Sequence, residues 1–312
     1  MNVLVTGGAG FIGSHIVDRL IAEGHRVVVV DNISTGKEEQ IHPDAVFYRT
    51  DLTRPELREV FEKEKPEFVI HQAAQIHVNT SVEDPAFDAS VNILGTINLL
   101  EACRNVGVRK VVYASSAAVY GNPETLPLDE RHPVRPLSGY GVSKYTVEHY
   151  LNVYRHLYGI SFTALRYANV YGIRQDPRGE GGVISIFVDR VLRGLPMTIH
   201  GDGEQTRDYI YVEDVARANL AALEAGDGEI LNIGTGRQSS LNEVLRLFRE
   251  ITGQDVEAVY GPERPGDIRH SVFDISKARR VLGWEPKVSL EEGLRKTVEY
   301  YREQYRTMDT DR

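Results

Sequence analysis

The stretch TGGAGFIG, residues 6–13, follows a short apolar run, NVLVT at 2–6, and precedes a segment whose apolar residues recur with helical spacing. Its glycines at positions 7, 10 and 13 are spaced so that a backbone turn can approach a pyrophosphate at the N-terminus of a helix. Glycine spacing alone is weak evidence, but the strand-turn-helix context is the one that a dinucleotide site requires. The stretch therefore predicts a dinucleotide-binding turn at the start of the chain.

Short apolar runs alternate with helical segments outward from this turn. The predicted strands are NVLVT, RVVVVD, AVFYRTD, FVIHQAA, KVVYASS and FTALRYANVYG. Such alternation is typical of an α/β fold, a Rossmann-type doubly wound parallel sheet with helices on both faces. One more run, EILNIGTG at 229–236, is expected to return to this sheet.

The regular alternation ends after about residue 171, where glycine- and proline-containing stretches begin. We predict a Rossmann domain over 1–170, to which 208–235 returns. The segments 171–207 and 236–312 are predicted to form a smaller, discontinuous C-terminal lobe that binds the substrate.

The composition narrows the function classes. The formal net charge of −9 argues against nucleic acid or an anionic membrane as a partner. No apolar run approaches the roughly 18 residues of a membrane helix, and the N-terminus lacks a signal-peptide pattern, so we expect a cytoplasmic protein. The single cysteine, Cys103, lies in an apolar helical pattern typical of a buried side chain. No metal site is predicted.

An acidic residue completes the predicted cofactor site. Asp31 ends the second strand, 18 residues after Gly13. A carboxylate there can accept hydrogen bonds from ribose hydroxyls and would repel a 2′-phosphate, so NAD is favoured over NADP. The alternative is that the glycines form only a tight turn and Asp31 only ends a strand. The residues predicted to contact the cofactor are Gly7, Gly10, Phe11, Ile12, Gly13, Asp31, Asn32, Asp51, Leu52, Ala73, Ala74, Gln75, Tyr140 and Lys144.

Two further motifs indicate proton transfer. In YGVSK, Tyr140 and Lys144 are four residues apart, on one face of a predicted helix. A phenol with a pKa of about 10 is a poor base at neutral pH, and a neighbouring ammonium group would lower that pKa. Ser116, in YASSAAVYG at 113–121, could hydrogen-bond the substrate oxygen from which Tyr140 would take a proton.

Taken in order, TGGAGFIG, DN, YASSAAVYG, YGVSK, RYANVYG and RDYIYVEDVA resemble the motifs of the extended short-chain dehydrogenase/reductases. The resemblance covers essentially the whole chain and extends to the NAD-dependent epimerase/dehydratase family, in particular its UDP-glucose 4-epimerase branch. It implies tightly held NAD, a UDP-sugar substrate, epimerisation at C4 of a UDP-hexose through a 4-keto intermediate, and a homodimer. Two helical segments, 89–107 and 144–159, carry more apolar surface than one sheet-facing stripe needs, which agrees with a dimer.

The resemblance also implies residue roles. Tyr140 would be the base, Lys144 would bind the nicotinamide ribose and tune Tyr140, and Ser116 would hydrogen-bond the sugar O4. The substrate-binding residues would be Ser116 and Tyr140 at the sugar and, toward the diphosphate and uridine, Asn169, Arg207, Arg264, Asp267 and Ser271. Arginine forks suit a diphosphate, although each arginine could instead form a surface ion pair.

Two alanines bear on the reaction. The family's 4,6-dehydratases carry Asp-Glu directly after the catalytic serine or threonine, and its UDP-glucuronate decarboxylases carry a glutamate two positions after it. This chain has Ala117 and Ala118 there. Because alanine can neither donate nor accept a proton, elimination and decarboxylation are disfavoured.

The identity of the hexose stays open at this stage. Ser271 is small enough to leave room for an N-acetyl group, so UDP-GlcNAc and UDP-GalNAc are also candidate substrates. UDP-glucuronate 4-epimerisation is an alternative, because the loops at 77–81 and 138–141 and Arg174 or Arg178 could reach C6 of the sugar. His77 could equally be a solvated loop residue. A simple alcohol dehydrogenase and a non-catalytic NAD-binding protein are the remaining alternatives.

Overall fold

A computed structural model describes residues 1–177, 182–264 and 267–310. Arg178, one of the two arginines considered for a uronate, lies outside the described residues, as do Pro265 and Gly266, the two residues between Arg264 and Asp267.

The strands are short, as expected for a parallel sheet. They are β1 (Asn2–Thr6), β2 (Arg26–Asp31), β3 (Val46–Arg49), β4 (Phe68–His71), β5 (Lys110–Ser116), β6 (Ser161–Tyr167), β7 (Asn169–Tyr171), β8 (Met197–His200), β9 (Thr206–Arg207), β10 (Tyr209–Tyr211), β11 (Glu229–Ile233), β12 (Ser239–Ser240) and β13 (Ala258–Gly261).

The helices are α1 (Phe11–Ala22), α2 (Glu56–Glu64), α3 (Val78–Glu83), α4 (Pro85–Ala89), α5 (Gly95–Val106), α6 (Gly139–Tyr158), α7 (Val183–Leu192), α8 (Val212–Glu224), α9 (Leu241–Thr252), α10 (Ser276–Leu282) and α11 (Leu290–Thr310). A π-helical turn, Ser90–Leu94, joins α4 to α5 without a break in helical backbone.

Seven strands form one parallel sheet in the order β11-β6-β5-β4-β1-β2-β3 within the described part of the chain. The predicted return of 229–233 to this sheet is confirmed, since β11 pairs with β6. Two apolar cores cover the two faces of the sheet. The doubly wound α/β fold predicted from the sequence is confirmed, and the carboxyl ends of all seven strands meet at one edge.

The predicted strand FTALRYANVYG is wrong in one respect, because the structure divides it into β6 and β7. The backbone N–H of Ala168 still donates to Ile233 in the main sheet, whereas that of Asn169 donates to the carbonyl of Asp208. The chain therefore changes partner after Ala168, and β7 pairs with β10 outside the main sheet.

The C-terminal segments have a core of their own, built by α7, α9, α11 and the strands β8 and β10. The strands outside the main sheet form three two-stranded pairs among the residues described, β7 with β10, β9 with β12 and β8 with β13. The predicted division into a Rossmann domain and a substrate lobe stays a prediction. None of the described helices is long and apolar enough to cross a membrane.

Candidate active site

The turn between β1 and α1 requires glycine at two positions. Gly7 has a φ of +69°, in the left-handed region that favours glycine. A Cβ on Gly13 would lie 2.0 Å from the carbonyl oxygen of Gly7, so no larger residue fits without moving the turn. Helix α1 follows with Gly10 as its N-cap and no side-chain cap, which leaves its first backbone N–H groups available to an anion.

A cleft of about 410 Å³ opens at the carboxyl edge of the sheet. Every residue that the sequence analysis assigned to the cofactor lines this cleft: Gly7, Gly10, Phe11, Ile12, Gly13, Asp31, Asn32, Asp51, Leu52, Ala73, Ala74, Gln75, Tyr140 and Lys144. Sequence reasoning missed the lining contributed by the loop Ser34, Thr35 and Gly36 and by Tyr167. The small and polar residues of this loop, which come shortly after Asp31, were the indication available in the sequence.

Asp31 holds the glycine turn in place. Its Oδ2 accepts a hydrogen bond from the backbone N–H of Ala9 at 3.0 Å, and its Oδ1 accepts one from Ile33 at 2.8 Å, so the carboxylate holds the turn. A carboxylate has about four acceptor positions, and two stay available for ribose hydroxyls in the cleft.

A second carboxylate lies beside the first. Asp51 Oδ2 accepts a hydrogen bond from the amide of Asn32 at 2.7 Å, and its Oδ1 accepts from the N–H and hydroxyl of Thr53. Burial opposes ionisation of Asp51, but these hydrogen bonds outweigh it and lower the pKa of Asp51. Two carboxylates at this end of the cleft disfavour a 2′-phosphate, so the residues fit NAD.

The predicted catalytic residues are brought together at the ends of β5 and α6. The Nζ of Lys144 donates to the carbonyl oxygen of Ala114 at 2.9 Å and lies 5.8 Å from the ring centroid of Tyr140. The Ser116 hydroxyl interacts with the Tyr140 hydroxyl and lowers its pKa. Ser116 Oγ also accepts a hydrogen bond from the backbone N–H of Ala118 at 3.1 Å. Ser116 therefore both caps the following turn and holds Tyr140.

The pKa of Tyr140 is raised, not lowered as the sequence predicted. Burial raises the pKa of Tyr140 above its usual value, the hydrogen bond from Ser116 lowers it, and the Asp88 carboxylate raises it. Burial also lowers the pKa of Lys144 to about 8. Desolvation, which the sequence pattern does not show, outweighs the pairing of these two residues.

Asp88 and Asn92 belong to a buried network that sequence reasoning missed. Asp88 Oδ1 accepts hydrogen bonds from Gln75 Nε2 at 2.7 Å and Asn92 Nδ2 at 3.2 Å. Asn92, in the π-helical turn, also accepts from the backbone N–H of Gln75 at 2.8 Å and donates to Ser143 Oγ at 3.0 Å. The network joins the cleft wall at Gln75 to the first turn of α6. The indication in the sequence was an acid and an amide, Asp88 and Asn92, within a helical segment of mostly apolar residues.

Three predicted substrate residues converge on the segment around β9. Ser271 donates its backbone N–H to the carbonyl of Thr206, and Asn169 donates its backbone N–H to that of Asp208. Arg207 lies between these two acceptors in the chain, and its Nη1 donates to the carbonyl oxygen of its neighbour Thr206 at 2.8 Å.

The other two predicted substrate residues, Arg264 and Asp267, contact each other and the end of β8. Arg264 is exposed, with its Nη2 3.0 Å from Nε2 of His200. Asp267 is also exposed, and its backbone N–H donates to the carbonyl of Arg264.

Asp208, missed by sequence reasoning, positions this region. Its buried carboxylate accepts from the N–H and hydroxyl of Thr235 at 2.8 and 2.6 Å, and from the N–H groups of Gly236 and Phe273. Burial raises the pKa of Asp208, and these hydrogen bonds offset only part of that increase. One carboxylate thus fixes β9 against the ends of β11 and the segment at Phe273.

The residues considered for a uronate differ in position. His77 lines the cleft near Gln75. Arg174 is held away from it by an ion pair of 2.7 Å with Asp18 on α1.

Comparison with known proteins agrees with this geometry. The model of the NAD dependent epimerase/dehydratase family matches residues 3–234. The chain belongs to this family. Its members with solved structures include a UDP-glucose 4-epimerase from Thermotoga maritima with UDP-glucose, 52% identical over 98% of this chain and 100% of that one, with a TM-score of 0.95.

Two further solved structures are similar. A UDP-glucose 4-epimerase from Thermus thermophilus in complex with NAD is 49% identical, covers 97% of this chain and 99% of its own, and has a TM-score of 0.92. A UDP-N-acetylglucosamine 4-epimerase from Methanobrevibacter ruminantium, in complex with UDP-N-acetylmuramic acid, is 38% identical over 97% and 98% of the two chains, with a TM-score of 0.93. The resemblance to the epimerases and NAD as the cofactor are confirmed.

Proposed function

We propose that the protein catalyses epimerisation at C4 of a UDP-hexose, interconverting UDP-glucose and UDP-galactose with bound NAD. The observation that carries the proposal is the placement of Tyr140 and Lys144 in the wall of one cleft that fits NAD, with Ser116 beside Tyr140. The similarity to UDP-glucose 4-epimerases at about half identity over nearly the whole chain supports the same reaction.

The glycine turn would hold the pyrophosphate of the cofactor, and Asp31 would hold its adenosine ribose. When bound, NAD supplies a hydride acceptor and donor for C4 of the sugar. The chain's own residues handle the proton: Tyr140 accepts it from O4 of the sugar and later returns it.

Ser116 and Lys144 support Tyr140 in this role. Ser116 hydrogen-bonds the Tyr140 hydroxyl and therefore stabilises its ionised form. Lys144 is positively charged below a pH of about 8, and its ammonium group is fixed by Ala114 rather than free to turn away. A fixed charge in a buried site stabilises a developing phenolate more than the same charge in water.

The substrate diphosphate is bound, in this proposal, by Arg207 and Asn169, with Arg264, Asp267 and Ser271 toward the uridine side. Firm anchoring at the diphosphate with fewer contacts at the hexose allows the 4-keto sugar to present its other face before C4 is reduced again. The half-buried Ala117 and Ala118, which follow Ser116, supply no acid or base for elimination.

UDP-GlcNAc and UDP-GalNAc are included as further candidate substrates. The small, half-buried Ser271 next to Arg207 supports room for an N-acetyl group, as does the similarity to a UDP-N-acetylglucosamine 4-epimerase. A uronate is less well supported, because Arg174 is engaged by Asp18.

A homodimer and a cytoplasmic location complete the proposal. Exposed apolar side chains lie on α6 and on the π-helical turn that precedes α5, among them Leu157 at 59% and Leu94 at 62% exposed. Contact with the same helices of a second copy would bury them. The free, buried Cys103 is consistent with a reducing compartment.

A substrate panel tests the reaction and the sugar together. Purified protein is incubated with UDP-glucose, UDP-galactose, their N-acetyl counterparts and UDP-glucuronate, and NMR reads the configuration at C4 of the product. Interconversion of glucose and galactose configurations supports the proposal. Loss of water or carbon dioxide from the sugar would contradict it.

A further inference from the structure

The end of β5 and the first half of α6 are joined at three successive residues. Lys144 reaches back to the carbonyl oxygen of Ala114, and the hydroxyl of Ser115 donates to Oε1 of Glu148 at 2.6 Å. Because Glu148 follows Lys144 by one helical turn, it lies on the same face of α6. We call these contacts the β5-α6 ladder: Ala114 with Lys144, Ser115 with Glu148, and Ser116 with Tyr140.

Glu148 is itself fixed by a buried arginine. Arg166 of β6 donates Nε to Oε1 at 2.9 Å and Nη2 to Oε2 at 2.6 Å, which is a bidentate pair. The side chains of Arg166 and Glu148 are only 3% and 1% exposed. The guanidinium carbon lies 4.8 Å from the ring centroid of Tyr120, whose hydroxyl donates to Oδ1 of Asn232 in β11 at 2.7 Å.

Fold stability does not explain this arrangement well. A buried ion pair loses the hydration of both charges, and apolar residues of similar volume are often equally stable or more stable in its place. What an apolar pair could not supply is an acceptor for the hydroxyl of Ser115. This hydroxyl belongs to the residue directly before Ser116, so its hydrogen bond to Glu148 restrains the peptide that carries Ser116.

We propose that Glu148, oriented by Arg166, is a positioning residue that acts through Ser115 to hold Ser116 in hydrogen-bonding contact with Tyr140. The role in turnover rests on the proposed function, whereas the contact between Ser116 and Tyr140 can be tested without any substrate. Glu148 touches neither the cleft nor, in this proposal, the sugar.

The most selective variant is S115A, which removes one hydroxyl and leaves the ion pair intact. The hydrogen bond from Ser116 favours ionised Tyr140, so loosening it should raise the pKa of Tyr140 by on the order of one unit. Tyrosinate absorbance is titrated for each protein and corrected with its Y140F counterpart. S115T, which keeps the hydroxyl, should restore the original titration.

Kinetics give a second readout. We expect S115A to lower kcat about tenfold with KM within about twofold, since the diphosphate anchors are untouched. The double variant E148M/R166M removes the acceptor without leaving one charge unpaired, and it should show the same loss of kcat while remaining folded. The matched control is T163V, which removes a buried hydroxyl of β6 whose partners are the carbonyls of Ala225 and Gly226.

The outcomes are separable. An unchanged Tyr140 titration in S115A, or an equal change in T163V, would overturn the positioning role. Parallel loss of thermal stability, KM and kcat, without a Tyr140 shift, would also overturn it and leave a purely structural role. If the wild-type protein epimerises none of the panel substrates, the proposed function fails, and the titration alone then decides whether Glu148 positions Ser116.

Discussion

The Nζ of Lys144 lies 2.9 Å from the carbonyl oxygen of Ala114, two residues before the serine that holds Tyr140. This contact ties the buried ammonium group of α6 to the end of β5. Because burial lowers the pKa of Lys144 to about 8, its charge state changes at an accessible pH.

Removal of the Lys144 charge should alter how stability depends on pH. The pKa of Lys144 is about 8 in the folded protein against 10.5 for an ordinary lysine. Between these values the unfolded chain binds more protons than the folded one, so the lysine destabilises the fold most below pH 8, and this penalty fades as pH rises. The difference in Tm, K144M minus wild type, should therefore decrease from pH 8 toward pH 10.5.

Thermal unfolding of the cofactor-free proteins across this range measures the effect. K63M is the control, because Lys63 is exposed and its pKa is raised by its hydrogen bond to Tyr48 rather than lowered. A pH-independent difference for K144M would mean that Lys144 is not desolvated as the structure indicates.

Replacement of Gly13 by alanine should abolish cofactor retention. The new Cβ would lie 2.0 Å from the carbonyl oxygen of Gly7, so the turn must move away from the pyrophosphate position. NAD released by denaturation, per mole of folded protein, should fall at least about tenfold. In G261A, where the Cβ meets no atom closer than 3.7 Å, the NAD content should stay at the wild-type level.

Arg207 should affect substrate binding rather than the chemical step. R207M removes a donor from the proposed diphosphate site, so KM should rise about tenfold or more while kcat changes less than about threefold. R246M, which breaks an exposed ion pair with Glu250 on α9, should leave both constants unchanged. A loss confined to kcat in R207M would place this arginine at the reacting sugar instead.

A charge on the exposed apolar helices should disrupt the proposed dimer. L157E places a carboxylate on a side chain that is 59% exposed in one chain, and it should convert a dimer to monomers in sedimentation experiments. L195E, on an exposed leucine at 46% in another part of the surface, is the control. Equal dimer content in both variants would exclude this face as the interface.

The sequence predicted those parts of the molecule whose determinants are local. The glycine turn, the alternating strands and the four-residue spacing of Tyr140 and Lys144 each lie within one short segment, and the structure brings the predicted cofactor residues to one cleft. The break between β6 and β7 was missed because it depends on Asp208, which is distant in sequence.

The remaining differences also come from tertiary contacts. The partners of Asp208 lie 27 or more residues away, and Asn92 reaches Ser143 across 51 positions, so no local pattern could reveal them. The pKa of Tyr140 depends on how much water the fold excludes, which its spacing from Lys144 does not encode.

The central claim is that Tyr140 transfers the O4 proton during C4 epimerisation, and Y140F tests it most directly. UDP-glucose is supplied to wild-type protein, to Y140F and to the control Y145F, with bound NAD quantified in each and product configuration read by NMR. The account predicts UDP-galactose from wild type and Y145F, and at least about a thousandfold less from Y140F with its NAD content intact. Near-normal epimerisation by NAD-loaded Y140F would contradict it.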